Sequence, residues 1–241
     1  MVVKKKTYKK VLLKLSGEAL QGTKDSGIDG KMLDYMAKEI VELVKMKVQV
    51  GIVIGGGNIF RGLAGSTTGM DRNRADHMGI MATMINSVAL GECLDRHKCA
   101  NVVFSSMEMG EIAERMSSVK VKKAFAEGNV VILGGGTGHP YFTTDTTAAL
   151  RALEIGAEIM IKATKVDGIY SSDPMKNKKA VKFDQITYAE VLKRKLQVMD
   201  LTAVSLCMEN DLPILVIDMN KKGNCKKAIS GRKVGSVVYM G

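Results

Sequence analysis

VQVGIVIGGGN, residues Val48 to Asn58, is a nearly continuous apolar run that ends in three glycines. Such a run, rich in β-branched residues, is typical of a parallel strand that helices cover on both faces. Glycine at its end permits a sharp exit from the sheet. The same arrangement occurs earlier as VLLKLSG at residues 11–17 and later as VVILGGGTG at residues 130–138. The sequence therefore predicts parallel strands that end in glycine-rich turns.

Segments with helical periodicity separate these strands. Between the first two, Leu33, Met36, Ile40 and Val44 recur at spacings of three and four, and Asp29 stands before them as a predicted N-cap. Further helices are predicted at residues 73–96, 145–155, 188–196 and 201–209, and another helix ends near residue 128. Further strands are predicted at residues 101–104, 130–133, 158–163, 214–217 and 236–239.

Strands that alternate with helices of this length imply right-handed crossovers and helices on both faces of the sheet. We therefore expect one α/β domain over residues 1–241. Its predicted architecture is a three-layer α/β/α sandwich with a mainly parallel sheet of about eight strands. Ligands in such folds bind beyond the carboxyl ends of the strands.

Composition narrows the class of protein. Hydrophobic residues make up 46% of the 241 residues and charged residues 25%, which is typical of a globular chain. No apolar run approaches the ~20 residues of a membrane span, so we expect a cytoplasmic protein without a membrane segment. The net charge of +11 fits either a nucleic-acid surface or an anionic small-molecule site. Aromatic residues are only 5% and are not interleaved with the basic ones, which disfavours nucleic acid.

The four cysteines, Cys93, Cys99, Cys207 and Cys225, are widely scattered. They form no CxxC pair, and we expect no histidine at metal-ligand spacing from any of them. The sequence therefore predicts reduced thiols and no structural zinc.

Each glycine-rich turn offers backbone N–H groups to which a phosphate could come close. No P-loop and no dinucleotide-binding Gly-x-Gly-x-x-Gly occurs, so a nucleotide would be held differently. Lys14 interrupts an apolar strand just before a turn, where a lysine is costly to bury without an anion; the alternative is an edge-strand lysine that reaches water. Arg61 follows the second turn and is either a phosphate ligand or a surface arginine.

Two further segments suit a polar ligand. Asp76 stands near the start of a predicted helix, as a first-turn acid or as an acceptor for sugar hydroxyls. The stretch TGHPYFTTD, residues 137–145, mixes hydroxyls, a proline and a carboxylate before a helix. It fits either helix capping or recognition of a polar ligand.

Six blocks together resemble the bacterial uridylate kinase family of the amino-acid kinase superfamily. They are KLSGEAL at residues 14–20, VIGGGNIFRG at 53–62, DHMG at 76–79, GTGHPYFTTD at 136–145, KATKVDGIY at 162–170 with Asp173-Pro174, and VMDLTA at 198–203. The resemblance extends over residues 11–237, nearly the whole chain. It implies the amino-acid kinase fold, a homohexamer, and Mg²⁺-dependent phosphoryl transfer from ATP to UMP on the route to UTP and CTP, with UTP as feedback inhibitor.

The resemblance also implies roles for single residues. The ATP-binding residues would be Lys14, Leu15, Ser16, Gly17, Gly57, Arg61, Thr164, Tyr170 and Asp173. The UMP-binding residues would be Gly56, Asp76, Thr137, Gly138, His139, Pro140, Tyr141, Phe142, Thr143 and Thr144. The catalytic residues would be Lys14, Arg61 and Asp145, with Asp145 positioning a lysine. Lys162 is a candidate for a second phosphate-facing cation. Asp200 has no assigned role, and the resemblance does not identify the metal ligands.

Three positions depart from the family pattern. His139 stands where asparagine is more common, and Gly91 and Asp95 stand where relatives activated by GTP carry basic residues. Two other functions stay open on the sequence: a superfamily kinase for a carboxylate or carbamate, and a regulator that senses uridine nucleotides or binds DNA.

Overall fold

A computed structural model of the chain describes residues 7–61, 69–174 and 176–241. Gly62, which closes the second sequence block, lies outside these ranges. The strands are β1 Lys10–Leu15, β2 Gln49–Ile54, β3 Asn101–Ser105, β4 Glu114–Arg115, β5 Val130–Gly134, β6 Ile159–Thr164, β7 Ile169–Tyr170, β8 Lys182–Phe183, β9 Gln185–Thr187, β10 Ile214–Asp218 and β11 Ser236–Tyr239. The helices are α1 Gly17–Leu20, α2 Gly30–Lys45, α3 Arg72–Arg96, α4 Ser118–Ala126, α5 Thr144–Glu154, α6 Tyr188–Lys193, α7 Leu201–Glu209 and α8 Asn224–Ile229.

Nine strands form one sheet in the order β4-β3-β5-β2-β1-β6-β10-β11-β9. Every neighbouring pair is parallel except β10 and β11, which are antiparallel. The two remaining strands, β7 and β8, form a separate antiparallel pair. The predicted α/β fold with a mainly parallel sheet is confirmed. The sheet is slightly wider than expected because β4 and β9 have only two and three residues, too few for a periodic signal.

Helices cover both faces of the sheet, as the alternation along β1 demonstrates. Val11, Leu13 and Leu15 pack into a core shared with α2, α3 and α8. Leu12 points to the other face and packs with α4 to α7. Because successive side chains of a strand alternate between faces, Lys14 follows Leu12 toward the side of α5.

Helix α2 begins where the sequence predicts. The carboxylate of Asp29 accepts hydrogen bonds from the backbone N–H groups of Lys31 at 2.8 Å and Met32 at 3.0 Å, so the predicted N-cap is confirmed. Helix α3 begins after Asp71, whose carboxylate accepts from the N–H of Arg74. Even α3, with 25 residues, lacks the apolar stretch that a membrane crossing requires, and so do the other described helices.

Candidate active site

The four central strands end at the same edge of the sheet. Because β5, β2, β1 and β6 are neighbours and parallel, their carboxyl ends lie side by side. The three glycine-rich turns therefore adjoin one another, with Thr164 at the end of β6 beside them. This edge is where ligands bind in open parallel sheets.

Two lysines and one aspartate form an ion triad at this edge. Lys14 and Lys162 are register partners on β1 and β6. The Lys14 ammonium lies 2.8 Å from Oδ1 of Asp145, and the Lys162 ammonium donates to Oδ2 at 2.7 Å. Lys14 is on a central strand, so the alternative of an edge-strand lysine is wrong. Asp145 contacts two lysines, and its role in positioning a catalytic lysine stays a prediction.

Partial burial makes this triad electrostatically strong. The three side chains are between 12% and 17% exposed. Burial would raise the pKa of Asp145, but the Lys14 and Lys162 ammonium groups outweigh it and hold that pKa below its ordinary value. Burial, aided by repulsion from Lys14, lowers the pKa of Lys162 despite the attraction of Asp145. One carboxylate thus neutralises only one of two adjacent cations, which leaves positive charge for an anionic ligand.

Helix α5 holds Asp145 in its first turn, and a second carboxylate fixes that turn. The Thr143 hydroxyl caps α5 by accepting from the N–H groups of Asp145 and Thr146. Asp200 caps α7 and also accepts hydrogen bonds from the hydroxyls of Thr143 and Thr146. Asp200, which the sequence left without a role, therefore joins the starts of α5 and α7.

A cavity of about 220 Å³ lies on one side of the triad. Seven of the residues predicted to bind UMP line it: Gly56, Asp76, Thr137, His139, Phe142, Thr143 and Thr144. Seven further residues line it that the sequence did not assign to UMP: Gly57, Phe60, Gly79, Ile80, Thr83, Gly136 and Thr147. Gly57 was predicted to bind ATP, so the structure places that residue in the other cavity from Thr164, Tyr170 and Asp173. Most of these seven lie within or beside the quoted blocks, so block membership was the available signal.

The other three residues predicted for UMP belong to the loop between β5 and α5. Gly138, Pro140 and Tyr141 are not among the residues that line this cavity. The backbone N–H of Tyr141 donates to Oδ2 of Asp76 at 2.9 Å, and Arg72 donates to the same oxygen at 2.8 Å. The loop therefore contributes here by holding the Asp76 carboxylate.

A larger cavity of about 590 Å³ lies on the other side of the triad. Thr164, Tyr170 and Asp173, all predicted for the adenosine part of ATP, line it, and so does Lys162. The segment from Arg194 to Val198 forms another wall. The sequence assigned none of these residues to ATP, although Val198 begins the block VMDLTA.

The remaining predicted ATP ligands lie at the end of β1, in the turn after it and in the loop after β2. The Leu15 side chain is fully buried in the core, and its carbonyl accepts from the N–H of Gly55 at 3.0 Å. A Cβ at Gly17 would lie 2.5 Å from the Gly55 carbonyl oxygen, so this close approach requires glycine. The Arg61 guanidinium pairs with Glu18 and donates through Nε to the carbonyl of Gly57. Ser16 is the N-cap residue of α1.

One statement from the sequence is wrong. Cys93 and His97 are four residues apart, one helical turn, so a cysteine does have a histidine at metal-ligand spacing, and Asp34 joins them. Gly91 is buried, and a Cβ there would lie 3.0 Å from the Asn101 side chain and from Val103 of β3. All four cysteine thiols are free and buried.

The chain belongs to the amino acid kinase family, whose sequence model matches residues 9–218. The fold and the strand-end site agree with that class, and the protein is a kinase.

Within the family, its relatives are uridylate kinases, and the resemblance carried by the six blocks is confirmed. The uridylate kinase of Bacteroides thetaiotaomicron is 53% identical over 232 residues, which are 96% of this chain and 98% of that protein. The crystal structure of UMP kinase from Bacillus anthracis has a TM-score of 0.94 at 35% identity and covers 97% of both chains. That of UMP kinase from Ureaplasma parvum has a TM-score of 0.91 at 37% identity and covers 96% of this chain and 98% of its own.

Proposed function

We propose that the chain transfers the γ-phosphoryl group of ATP to UMP and forms UDP and ADP, on the route to UTP and CTP. The observation that carries the proposal is the arrangement of two cavities around one ion triad. Lys162 lines the larger cavity, and Thr143 and Thr144, which directly precede Asp145, line the smaller one. Two anions bound in these cavities would meet at the lysines.

The smaller cavity suits a nucleoside monophosphate. Asp76 offers a carboxylate to ribose hydroxyls, and the backbone at Gly136 and Thr137 offers N–H groups to polar atoms. The larger cavity suits the bulkier adenine nucleotide, with Tyr170 and Thr164 in its wall. The names of the relatives give UMP as substrate, and the residues that line the two cavities support UMP and ATP as the pair of ligands.

Catalysis in this arrangement depends on charge and position. The acceptor phosphate is already an anion near neutral pH, so the reaction requires no general base. Lys14 and Lys162 would hold the donor and acceptor phosphates together and offset the charge that develops on the transferred group. Asp145 would fix both ammonium groups, and Arg61 would add a further cation if it exchanged Glu18 for phosphate oxygens.

The nearby carboxylates bear on how Mg²⁺ would be held. Both oxygens of Asp145 face ammonium groups, and both oxygens of Asp200 accept from hydroxyl groups. This donor set fits an ion that is carried by the phosphate oxygens of the nucleotide and by water, as Mg²⁺ often is. Bound in that way, Mg²⁺ would neutralise phosphate charge while the lysines orient the groups.

We also propose that the protein works as a homohexamer in the cytoplasm, with UTP as a feedback inhibitor. Helix α3 supports association, because Met78, Met81, Ile85 and Val88 recur on one face of it and are exposed in the single chain. An exposed apolar stripe of this kind is typical of an interface. UTP carries the same uridine as the proposed acceptor, so the acceptor cavity could also receive it.

The function is tested by coupled detection of ADP release from MgATP with UMP, CMP, acetylglutamate and carbamate as acceptors. We expect UMP to give the highest kcat/KM by at least about tenfold, about 1.4 kcal/mol of transition-state preference. Preference for acetylglutamate or carbamate would favour the other superfamily kinases. No ADP release with any acceptor would favour a regulator.

A further inference from the structure

Three side chains outside the nucleotide site converge between α2 and the end of α3. Cys93 and His97 lie one turn apart on α3 and at its C-cap, and Asp34 lies on α2 opposite them. One donor atom from each lies within 4.8 Å of the other two, and His97 Nε2 is 2.7 Å from Asp34 Oδ1. They belong to the sheet face opposite α5, away from the triad.

The donor types are what set this cluster apart. A thiol, an imidazole and a carboxylate are the three side-chain ligands that zinc uses, and three protein ligands leave a fourth position for water. Among residues 7–61, 69–174 and 176–241, this is the one group of three or more histidine, cysteine, aspartate or glutamate side chains spaced to hold a metal ion. Acidic residues are numerous elsewhere in this part of the chain, so the grouping does not follow from abundance alone.

The geometry requires little rearrangement for a metal ion. Ligand atoms about 2.0–2.3 Å from a tetrahedral zinc ion lie roughly 3.3–3.7 Å apart. The three donor atoms lie within 4.8 Å of one another, so they would have to move together by about 1 Å at most, while His97 and Asp34, 2.7 Å apart, would separate. Lys38 pairs with the other oxygen of Asp34, Oδ2, at 2.7 Å, and so orients the carboxylate while leaving Oδ1 toward His97.

Access and support are also present. Asp34 and His97 are partly exposed, whereas Cys93 is buried below them in the core between the helices. An ion could therefore enter from solvent and reach the sulfur at the base of the cluster. The ligands come from two different helices, so a bound ion would link α2 to α3.

We infer that Asp34, Cys93 and His97 form a binding site for one divalent transition-metal ion of the zinc class, with a solvent molecule as fourth ligand. The inference does not depend on the proposed reaction. A ligand that binds the folded chain raises its thermal stability, and here the stabilisation would come from the link between α2 and α3.

The test uses metal-free full-length protein without nucleotide, so that no phosphate competes for the ion. Co²⁺ is titrated first, since a thiolate ligand gives a charge-transfer absorption in the near ultraviolet. We expect that absorption to saturate at one Co²⁺ per chain and to be displaced by Zn²⁺. We also expect Zn²⁺ to raise the Tm by about 5 °C or more at saturation.

Variants separate this site from adventitious binding. Cys93→Ser should lose the thiolate absorption and His97→Gln the Tm increase, while Cys99→Ser, at the same end of α3, should keep both. His97→Gln changes a partly exposed side chain and keeps the test valid if Cys93→Ser folds poorly. No thiolate absorption in the wild-type protein, an equal Zn²⁺ effect in His97→Gln, or a Kd above about 1 mM would overturn the inference.

Discussion

Lys14 and Lys162 are register partners on adjacent parallel strands, and their ammonium groups approach different oxygens of the same carboxylate, that of Asp145. Two cations held this closely repel one another, and one carboxylate offsets only part of that repulsion. The pair is therefore set up to gain a second anion. This property decides the first two predictions.

Lys14→Ala should lower kcat by more than about tenfold and change the affinity for UMP little, because an ammonium on the moving phosphoryl group acts mainly in the transition state. Steady-state kinetics and a UMP binding titration check this. Lys45→Ala, which removes an exposed lysine paired with Glu42 on α2, is the matched control and should behave as wild type. A Lys14→Ala enzyme that keeps more than about a tenth of kcat would exclude the role.

Asp145→Asn should destabilise the fold by about 3 kcal/mol at neutral pH, because it removes the carboxylate that contacts both partly buried ammonium groups. The folded-state pKa of Asp145 lies below its ordinary value, so the unfolded chain binds the proton first as the pH falls. The stabilisation by this carboxylate is therefore complete above the unfolded aspartate pKa of about 3.9 and is lost below it.

Urea unfolding of wild type and Asp145→Asn across acidic and neutral pH measures this effect. The difference in free energy of unfolding should shrink as the pH falls below about 4. A difference that stays constant through that window would show that the carboxylate charge is not what stabilises the site.

Asp76→Asn should raise the KM for UMP and leave the KM for ATP nearly unchanged. Asp76 lines the smaller cavity and not the larger one. Its carboxylate accepts hydrogen bonds from Arg72 and from the N–H of Tyr141, and an asparagine amide would have only one acceptor oxygen for these donors and for the ribose hydroxyls. Initial rates with each substrate varied in turn provide the measurement. Asp184→Asn, an exposed change near β9, serves as control. Equal effects on both KM values would remove Asp76 from the acceptor site.

Gly56→Ala and Gly57→Ala form a matched pair. A Cβ at Gly56 would lie 2.7 Å from Cβ of Ala82 and 2.9 Å from the backbone of α3, whereas a Cβ at Gly57 would meet only the Arg61 side chain at 3.9 Å. We expect Gly56→Ala to lose about 1–3 kcal/mol of stability and Gly57→Ala to unfold like wild type. Urea denaturation compares them. Similar losses of stability in both variants would mean that contact with α3 is not what requires glycine at position 56.

GTP should activate the enzyme weakly or not at all. Relatives activated by GTP are expected to carry basic residues on the long helix, and Asp95 here is a carboxylate that accepts from Asn101 at 2.8 Å. Because Gly91 is buried, this prediction depends on Asp95 alone. Initial rates at subsaturating UMP, with GTP varied and UTP in parallel, provide the test. A tenfold rise, about 1.4 kcal/mol of coupling, would contradict it.

The sequence predicted the central strands well because burial on both faces leaves a continuous apolar run, as at Val50 to Ile54. It also identified Lys14, since a charge inside such a run is unusual. It did not pair Lys14 with Lys162, because their juxtaposition depends on β1 and β6 being neighbours, and strand order is not written in local periodicity. The sequence showed the four-residue spacing of Cys93 and His97, which was overlooked, but it did not show that Asp34 joins them, because Asp34 lies on another helix far away in the chain.

The residues that line the two cavities come from separate portions of the chain. All residues that line the smaller cavity fall within residues 56–147, and all that line the larger one fall within residues 162–216. Lys162, in the later portion, and Asp145, in the earlier one, join the two through the ion triad. A substitution within residues 56–147 would therefore reshape the smaller cavity while the lining of the larger cavity stays unchanged.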